Sequence, residues 1–320
     1  MTAGSRLADP IPAWPGELVP IPSGAVYVRS APAAAAGSEP ALFVHGLGGS
    51  STNWTDLMDL LRRPAPGGLP AAAPALAGEA IDLPGFGRSP LPADHDYSID
   101  ARARAVIDLI ETRHRWPVHL VGNSLGGAVC TRVAGRRPDL VRTLTLISPA
   151  LPDLWPRLIP LRVALASAPA VGPWLVRRVS RMPAEARTSA TVADVYLDPG
   201  LLHPSRLAEE VAEIRRRDGL GYSHEVLIGS ARALVTEYAR SGPRSLWRDA
   251  ARVTAPALVI YGSHDRLVRP AMAGRAARTF RGARVVVLPQ LGHVAMLERP
   301  DLVAAHMREL LASRNSLRRG

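Results

Sequence analysis

Ser124, Asp265 and His293 are the residues whose types and settings could carry nucleophilic chemistry in this chain. Ser124 lies in Gly122-Asn123-Ser124-Leu125-Gly126, a G-x-S-x-G pattern with a further glycine at Gly127. An apolar, β-prone run, residues 116–121, precedes it, and a helix-compatible run, residues 128–135, follows. Strand, tight turn and helix make up the setting in which this pattern holds a nucleophilic serine. So sharp a turn requires small neighbours, and Gly122 and Gly126 supply them by lacking a Cβ. The hydroxyl then stands at the tip of a sheet above a helix N-terminus. The unpaired N–H groups and partial positive charge of that terminus favour a developing oxyanion.

Three other segments match what such a serine needs. In the first, residues 41–44 form an apolar run that enters His45-Gly46-Leu47-Gly48-Gly49. A glycine-rich loop of this kind can turn a backbone N–H toward the serine, so Leu47 and Leu125 are the expected pair of oxyanion donors. Each such donor contributes on the order of 3 kcal/mol to the transition state. His45 is expected to fasten the loop by hydrogen bonding rather than to transfer protons. In the second, residues 257–262 read as a buried strand, and Asp265 follows its carboxyl end, where open α/β sheets hold their ligands. There it can accept an imidazole N–H, fix the tautomer and stabilise the imidazolium. The competing role is a turn or capping aspartate ahead of Pro270. In the third, residues 285–288 end a last strand, and Gly292-His293 sits in the loop beyond it. His293 is the candidate general base. His264, His119, His95 and His45 compete, but none combines a post-strand loop with a place after both serine and acid. Glu298 and Pro300 are expected to open the final helix.

The order serine, acid, histidine, together with these motifs, resembles the α/β-hydrolase superfamily, in its capped branch of esterases, lipases and carbon–carbon bond hydrolases. The likeness covers roughly residues 17–150 and 250–312. Asp82-Leu83-Pro84-Gly85-Phe86-Gly87-Arg88-Ser89 adds to it, resembling the superfamily's D-x-P-G-x-G-x-S turn that supports the active-site loops. The resemblance implies an α/β fold: a mostly parallel central sheet, helices on both faces and a helical cap inserted after the sixth strand. It also raises Asp153, just past the sixth strand, as an alternative acid, because some members place theirs there. Fold and triad are strongly specified by these motifs; substrate is not, since the fold hosts many reactions.

Composition bounds the rest. The chain has 320 residues, a formal net charge of +11 and 47% hydrophobic residues, enough for one large domain or a core with an insert. Every basic residue is arginine. The arginines are scattered, apart from Arg215-Arg216-Arg217 and Arg177-Arg178, whereas nucleic-acid binding calls for a concentrated patch on a recognised fold. The single cysteine, Cys130, allows no intrachain disulfide, and its place six residues after Ser124 suits a buried structural thiol. The first 19 residues lack the apolar stretch of a signal peptide, and no apolar run reaches the ~18 residues of a membrane span, so a cytoplasmic location is the expectation.

The elements that must position these residues follow from periodicity. Residues 1–16 read as a flexible leader. Two strands joined at Pro22-Ser23-Gly24, strands at 41–45, 79–83, 118–121 and 141–148, and helices at 52–63 and 99–114 alternate as a parallel sheet covered on both faces requires. The Pro/Ala/Gly stretch 64–77 reads as a surface loop. From residue 152 to 247 the strand rhythm stops, and helical pieces broken at Pro169, Pro173, Pro183 and Pro204 take over. These form the expected cap, and residues 17–151 with 248–320 form the core. The cap's first segment, with Leu158 and Leu161, is apolar with arginine flanks. It is expected to line an acyl pocket, with peripheral lipid contact as the alternative.

The leading expectation is therefore a serine hydrolase acting through an acyl-enzyme on an ester of a small apolar molecule. It needs no metal or cofactor and no nucleic-acid partner. Carbon–carbon bond hydrolysis, thioesterase or perhydrolase chemistry on the same triad remains open, as does a non-catalytic ligand-binding protein of this shape.

Overall fold

Residues 10–32, 37–63, 73–113, 117–153, 168 and 171–317 are described in the computed structural model. Among them, eight strands form one sheet: β1 Gly16–Ile21, β2 Gly24–Ser30, β3 Glu39–Val44, β4 Leu76–Asp82, β5 Val118–Asn123, β6 Val141–Ile147, β7 Ala257–Gly262 and β8 Arg284–Leu288. Their order is β1-β2-β4-β3-β5-β6-β7-β8. The first two strands pair antiparallel, β2 joins β4 antiparallel, and every other pairing is parallel.

Period-2 alternation sorts the buried strands between two cores. In β7, Ala257, Val259 and Tyr261 face one apolar cluster, while Leu258 and Ile260 face the other. In β5, Val118 and Leu120 face the first and Val121 the second. Helices α2 (Ile99–Thr112) and α3 (Leu125–Arg136) cover the first face; α1 (Thr55–Arg62) and the C-terminal helix Pro300–Leu317 cover the second. The chain leaves β3 for β4 on one side, then crosses to β5 on the other. The strand order therefore reverses at β3/β5, the kind of point where such sheets open a crevice at their carboxyl ends.

Some boundaries differ from expectation. β4 begins at Leu76 rather than Glu79, because Leu76, Ala77 and Gly78 pair with Glu39, Pro40 and Ala41. A small-residue stretch without β propensity is recruited by its neighbour's ladder, so the expected loop 64–77 loses its last two residues to the strand. Residues 64–72 of that loop, residues 1–9 of the leader, and Leu158 and Leu161 lie outside the described residues. The helix expected from residue 52 starts as a 3₁₀ turn, Ser51–Trp54, before α1.

Between β6 and β7 the described residues hold no strand. They form α4 (Gly172–Ser180), α5 (Ala184–Val195), α6 (Pro204–Asp218) and α7 (Ser223–Ala239), followed by α8 (Leu246–Arg252). Pro173 and Pro204 sit in first turns, where their missing N–H costs nothing. Helix α7 is fastened to the core by Arg132 of α3, which has no solvent exposure. Its guanidinium donates to Asp249 (2.9 Å), to Asp100 (3.1 Å), to both carboxylate oxygens of Glu237 (3.0 and 2.9 Å) and to the Arg244 carbonyl.

Removing the cation from this cluster leaves buried carboxylates unpaired. Arg132→Ala should lower the unfolding free energy by about 3–5 kcal/mol, read from urea denaturation. A loss under about 1 kcal/mol would mean that the cluster is solvated and does not hold the helix.

Candidate active site

Ser124 occupies the turn between β5 and α3 with φ of 52°, a left-handed conformation that a non-glycine residue adopts only under constraint. The constraint is visible on both sides. The Ser124 N–H donates to the Ile147 carbonyl (3.1 Å), and its carbonyl accepts from Ala128 and Ala150. A methyl group at Gly126 would fall 2.1 Å from the Val44 carbonyl oxygen, and one at Gly122 would fall 2.5 Å from the Gly126 carbonyl and 2.7 Å from Cys130 Sγ. Both positions therefore need glycine. Ser124 keeps 9% of its surface accessible at the head of the sheet. Cys130 is fully buried beneath, and burial pushes its thiol well above the usual range, leaving it inert as a second nucleophile.

Asp265 and His293 meet although 28 residues separate them. His293 Nδ1 donates to Asp265 Oδ2 at 2.9 Å, and neither residue exposes more than 3% of its surface. Asp265 Oδ1 is occupied by the N–H groups of Leu267 (2.8 Å) and Val268 (2.9 Å), which fixes the carboxylate plane. Burial by itself raises the Asp265 pKa. The facing His293 and the Val268 N–H outweigh it and hold the carboxyl below its ordinary value. An ionised carboxylate against Nδ1–H leaves Nε2 as the nitrogen available for proton transfer. Asn123 joins the two halves of the site: its side-chain amide donates to the carbonyls of Ile147 (3.0 Å) and His293 (3.2 Å).

The competing histidines His119, His95, His264 and His45 are engaged elsewhere. His119 lies within β5, with Glu39 Oε2 (2.6 Å) and Thr143 Oγ1 (2.8 Å) on its ring nitrogens. His95 faces Glu225, and His264 faces Ser263 on an exposed turn. Asp153 lies 3.4 Å from the Arg269 guanidinium.

His45 fastens the loop after β3. Its Nε2 accepts from the Leu83 N–H (3.0 Å), which puts the proton on Nδ1, facing the Gly46 carbonyl (2.7 Å). Full burial lowers its pKa despite Asp82 nearby, as suits a neutral ring. Asp82 then ties down the neighbouring turn, accepting from Ser51 (2.5 Å) and Arg88 (2.8 Å). The result places Gly46 against Ser124: a methyl at 46 would stand 3.2 Å from Ser124 Cβ. Leu47 follows directly in the chain. Leu125 opens α3, so its N–H is among the four that the helix itself leaves unused.

Three residues of this neighbourhood carry no motif. Glu298 does not serve to open the last helix, which starts at Pro300. Its buried carboxylate accepts the Gly292 N–H (2.7 Å) on one oxygen and the Leu197 N–H (2.9 Å) on the other, while the His293 N–H donates to Val195 O (2.8 Å). Burial raises the Glu298 pKa against the pull of these N–H groups. Arg217 of α6 donates to Gly48 O (2.8 Å), and Glu210 of the same helix accepts from Asn53 (2.8 Å). The helices between β6 and β7 thus touch both the histidine loop and the loop after β3. Among the described residues no cluster of three or more His, Cys, Asp or Glu side chains could hold a metal ion, and no helix is long and apolar enough to cross a membrane.

Comparison with known proteins identifies the family. The family model described as "Alpha/beta hydrolase family" matches residues 41–306. The chain is 28% identical, over 85% of its length, to the dihydrolipoyllysine-residue acetyltransferase component of the acetoin cleaving system of Pseudomonas putida, and spans 63% of that protein. It is 25% identical to Lipase 1 of Psychrobacter immobilis, covering 83% of this chain and 74% of the lipase. A crystal structure of a putative lipase from Acinetobacter baumannii superposes with a TM-score of 0.74 at 18% identity, covering 95% of this chain and 93% of the other. With the family match extending from β3 to the C-terminal helix, the chain belongs to the alpha/beta hydrolase family and is a hydrolase of that type.

Proposed function

We propose that the protein cleaves carboxylic esters of apolar acyl groups, with Ser124 as nucleophile, His293 as general base and acid, and Asp265 as the group that orients His293. The observation that carries this reading is the buried 2.9 Å hydrogen bond from His293 to Asp265, held over the end of the sheet from which the constrained Ser124 projects. Ser124 Oγ attacks the acyl carbonyl carbon while its proton passes to His293 Nε2. The oxyanion is held by the Leu47 and Leu125 N–H groups. Collapse expels the alcohol, which takes the proton from His293, and water repeats the sequence on the acyl-enzyme. Residues 152–247 act as a cap that excludes water and shapes the acyl site. The bonds from α5 to the His293 backbone and from α6 to Gly48 and Asn53 support this. The likeness to Lipase 1 of Psychrobacter immobilis favours an apolar acyl group over a charged one.

Ser124→Ala should abolish turnover of p-nitrophenyl esters and labelling by a fluorophosphonate probe, with unchanged circular dichroism. Turnover above a few per cent of wild type would remove Ser124 from the role, and wild-type chain that never labels would mark a non-catalytic binding protein. Running esters of increasing chain length beside a vinylogous diketone separates ester from carbon–carbon cleavage.

The acid is tested by comparison. Asp265→Asn should reduce kcat on the order of 10⁴-fold by presenting the wrong tautomer to the serine, whereas Asp153→Asn should leave kcat within a few-fold. The reverse ranking would transfer the role to Asp153.

A pH series gives an independent check. Because the folded Asp265 carboxyl lies below its unfolded value of about 3.9, its stabilising contribution is complete above that pH and is lost as pH falls through the folded value. The unfolding free-energy difference between wild type and Asp265→Asn should therefore shrink as pH is lowered below about 4. A constant difference down to the acid limit would contradict the assigned hydrogen bond from His293 to an ionised Asp265.

A further inference from the structure

Among the described residues, helix α4 is the part of the β6–β7 insert that exposes the most apolar side chains on one face. Its helical neighbours are α5 and α7, both in the same insert. Val171, Trp174, Val179 and Met182 expose 46%, 59%, 43% and 46% of their surfaces along one side. At 100° per residue these side chains fall in a single arc, with Arg178 in its middle and Arg177 and Arg181 along one border. All three arginines are exposed, and the Arg178 guanidinium lies 5.9 Å from the centre of the Trp174 ring. From Leu154 to Ala184 the sequence contains Arg157, Arg162, Arg177, Arg178 and Arg181 and no aspartate or glutamate. The next acid along the chain, Glu185, is paired with Arg215.

Water is a poor solvent for this arc. An exposed tryptophan with aliphatic neighbours loses free energy of hydration on burial, and an arginine row without acids repels another positive surface while attracting an anionic one. Tryptophan at the level of the headgroups, short apolar side chains just below it and arginines on the phosphates is how an interfacial helix seats in a bilayer. We infer that α4 docks the protein on the surface of a bilayer containing anionic phospholipid, with Trp174, Val171 and Met182 entering the headgroup boundary and Arg177, Arg178 and Arg181 contacting phosphates. The net charge of +11 adds long-range attraction of the same sign. A second copy of this chain is disfavoured as the occupant, because it would bring the same unneutralised arginines face to face.

This docking does not depend on which bond is hydrolysed, and its test uses no turnover of lipid. The full chain is sedimented with vesicles of ether-linked phosphatidylcholine, alone or mixed with ether-linked phosphatidylglycerol, neither of which has a carboxylic ester to cleave. Binding should appear with phosphatidylglycerol and fall steeply with salt. The triple variant Arg177→Gln, Arg178→Gln, Arg181→Gln should weaken partitioning by about fivefold per arginine, about a hundredfold in all. Trp174→Ser with Met182→Ser should weaken it while leaving the salt dependence in place. Both variants should keep the wild-type circular dichroism spectrum and urea midpoint, which shows that they fold. Absence of vesicle binding by the wild type, or binding of either variant at the wild-type level, overturns the inference. So does a concentration-dependent dimer in sedimentation velocity that Trp174→Ser abolishes, since the arc would then be a self-association surface.

Discussion

The end of β3 and the first turn of α3 approach so closely that a single methyl group would separate them. At Gly126 that methyl would stand 2.1 Å from Val44 O and 2.6 Å from His45 O. This contact decides where everything above the sheet lies. It draws the loop of residues 45–49 over the elbow, so the backbone that follows β3 and the N-terminus of α3 converge on one point. It also forces the chain at Ser124 through a left-handed turn that aims the side chain away from the sheet. Such strain costs of order 1–3 kcal/mol and persists only where the surroundings over-determine it. Here the surroundings are the hydrogen bonds from Ser124 and to its carbonyl, which tie the turn to β6 and to residue 150.

The reversal of strand order supplies the rest of the geometry. Because β3 and β5 send their chains to opposite faces of the sheet, their carboxyl ends flank the kind of point where such sheets form a crevice. Asp265 and His293 reach it from β7 and β8 only because the loop after β8 folds back across the end of β7, where the His264 N–H donates to the Leu291 carbonyl (2.9 Å). Glu298 then closes this loop from behind, one oxygen on Gly292 and the other on Leu197 at the end of α5. The insert and the histidine loop therefore share one buried carboxylate. A displacement of α5 cannot occur without breaking a bond to the residue beside His293, so the position of the insert and the orientation of the imidazole are mechanically coupled.

How much of this could be read in advance depended on the range of the contact. Ser124, the glycines around it, His45, Asp265 and His293 each sit within a few residues of a strand end, and their meaning is local: a turn that needs glycine, a loop that needs an anchor, a position past a strand. Such meaning survives in a linear pattern. The roles of Asn123, Glu298 and Arg217 depend on contacts 24 to 170 residues away in sequence, joined for Glu298 by a bond to nearby Gly292. Glu298 illustrates the difficulty. Next to Pro300 its local setting is that of a helix N-terminus, and only the packing of α5 against Gly292 turns it inward. The start of β4 was hidden for a related reason, since Leu76, Ala77 and Gly78 become strand through β3 and not through their own propensity.

The exclusive use of arginine also acquires a structural sense. The insert is stitched to the core by guanidinium groups, two of which satisfy several partners at once. Arg132 gathers three carboxylates. Arg206 bridges Asp56 of α1 through two nitrogens and also reaches Glu209 and Ile11 O. Arg102, buried between the Phe86 and Tyr97 rings at 5.6 and 5.9 Å, donates to Ser230 of α7. A lysine ammonium could not span such sets, because its three donors radiate from one atom and its charge sheds water less readily. These stitches fall on α6 and α7, which lie against the core, and α4 lies beyond them against its fellow helices. The same residue type thus does opposite things at the two sides of the insert. Neutralised by carboxylates it fixes the inner helices to the core, and on α4 it stands exposed among apolar side chains.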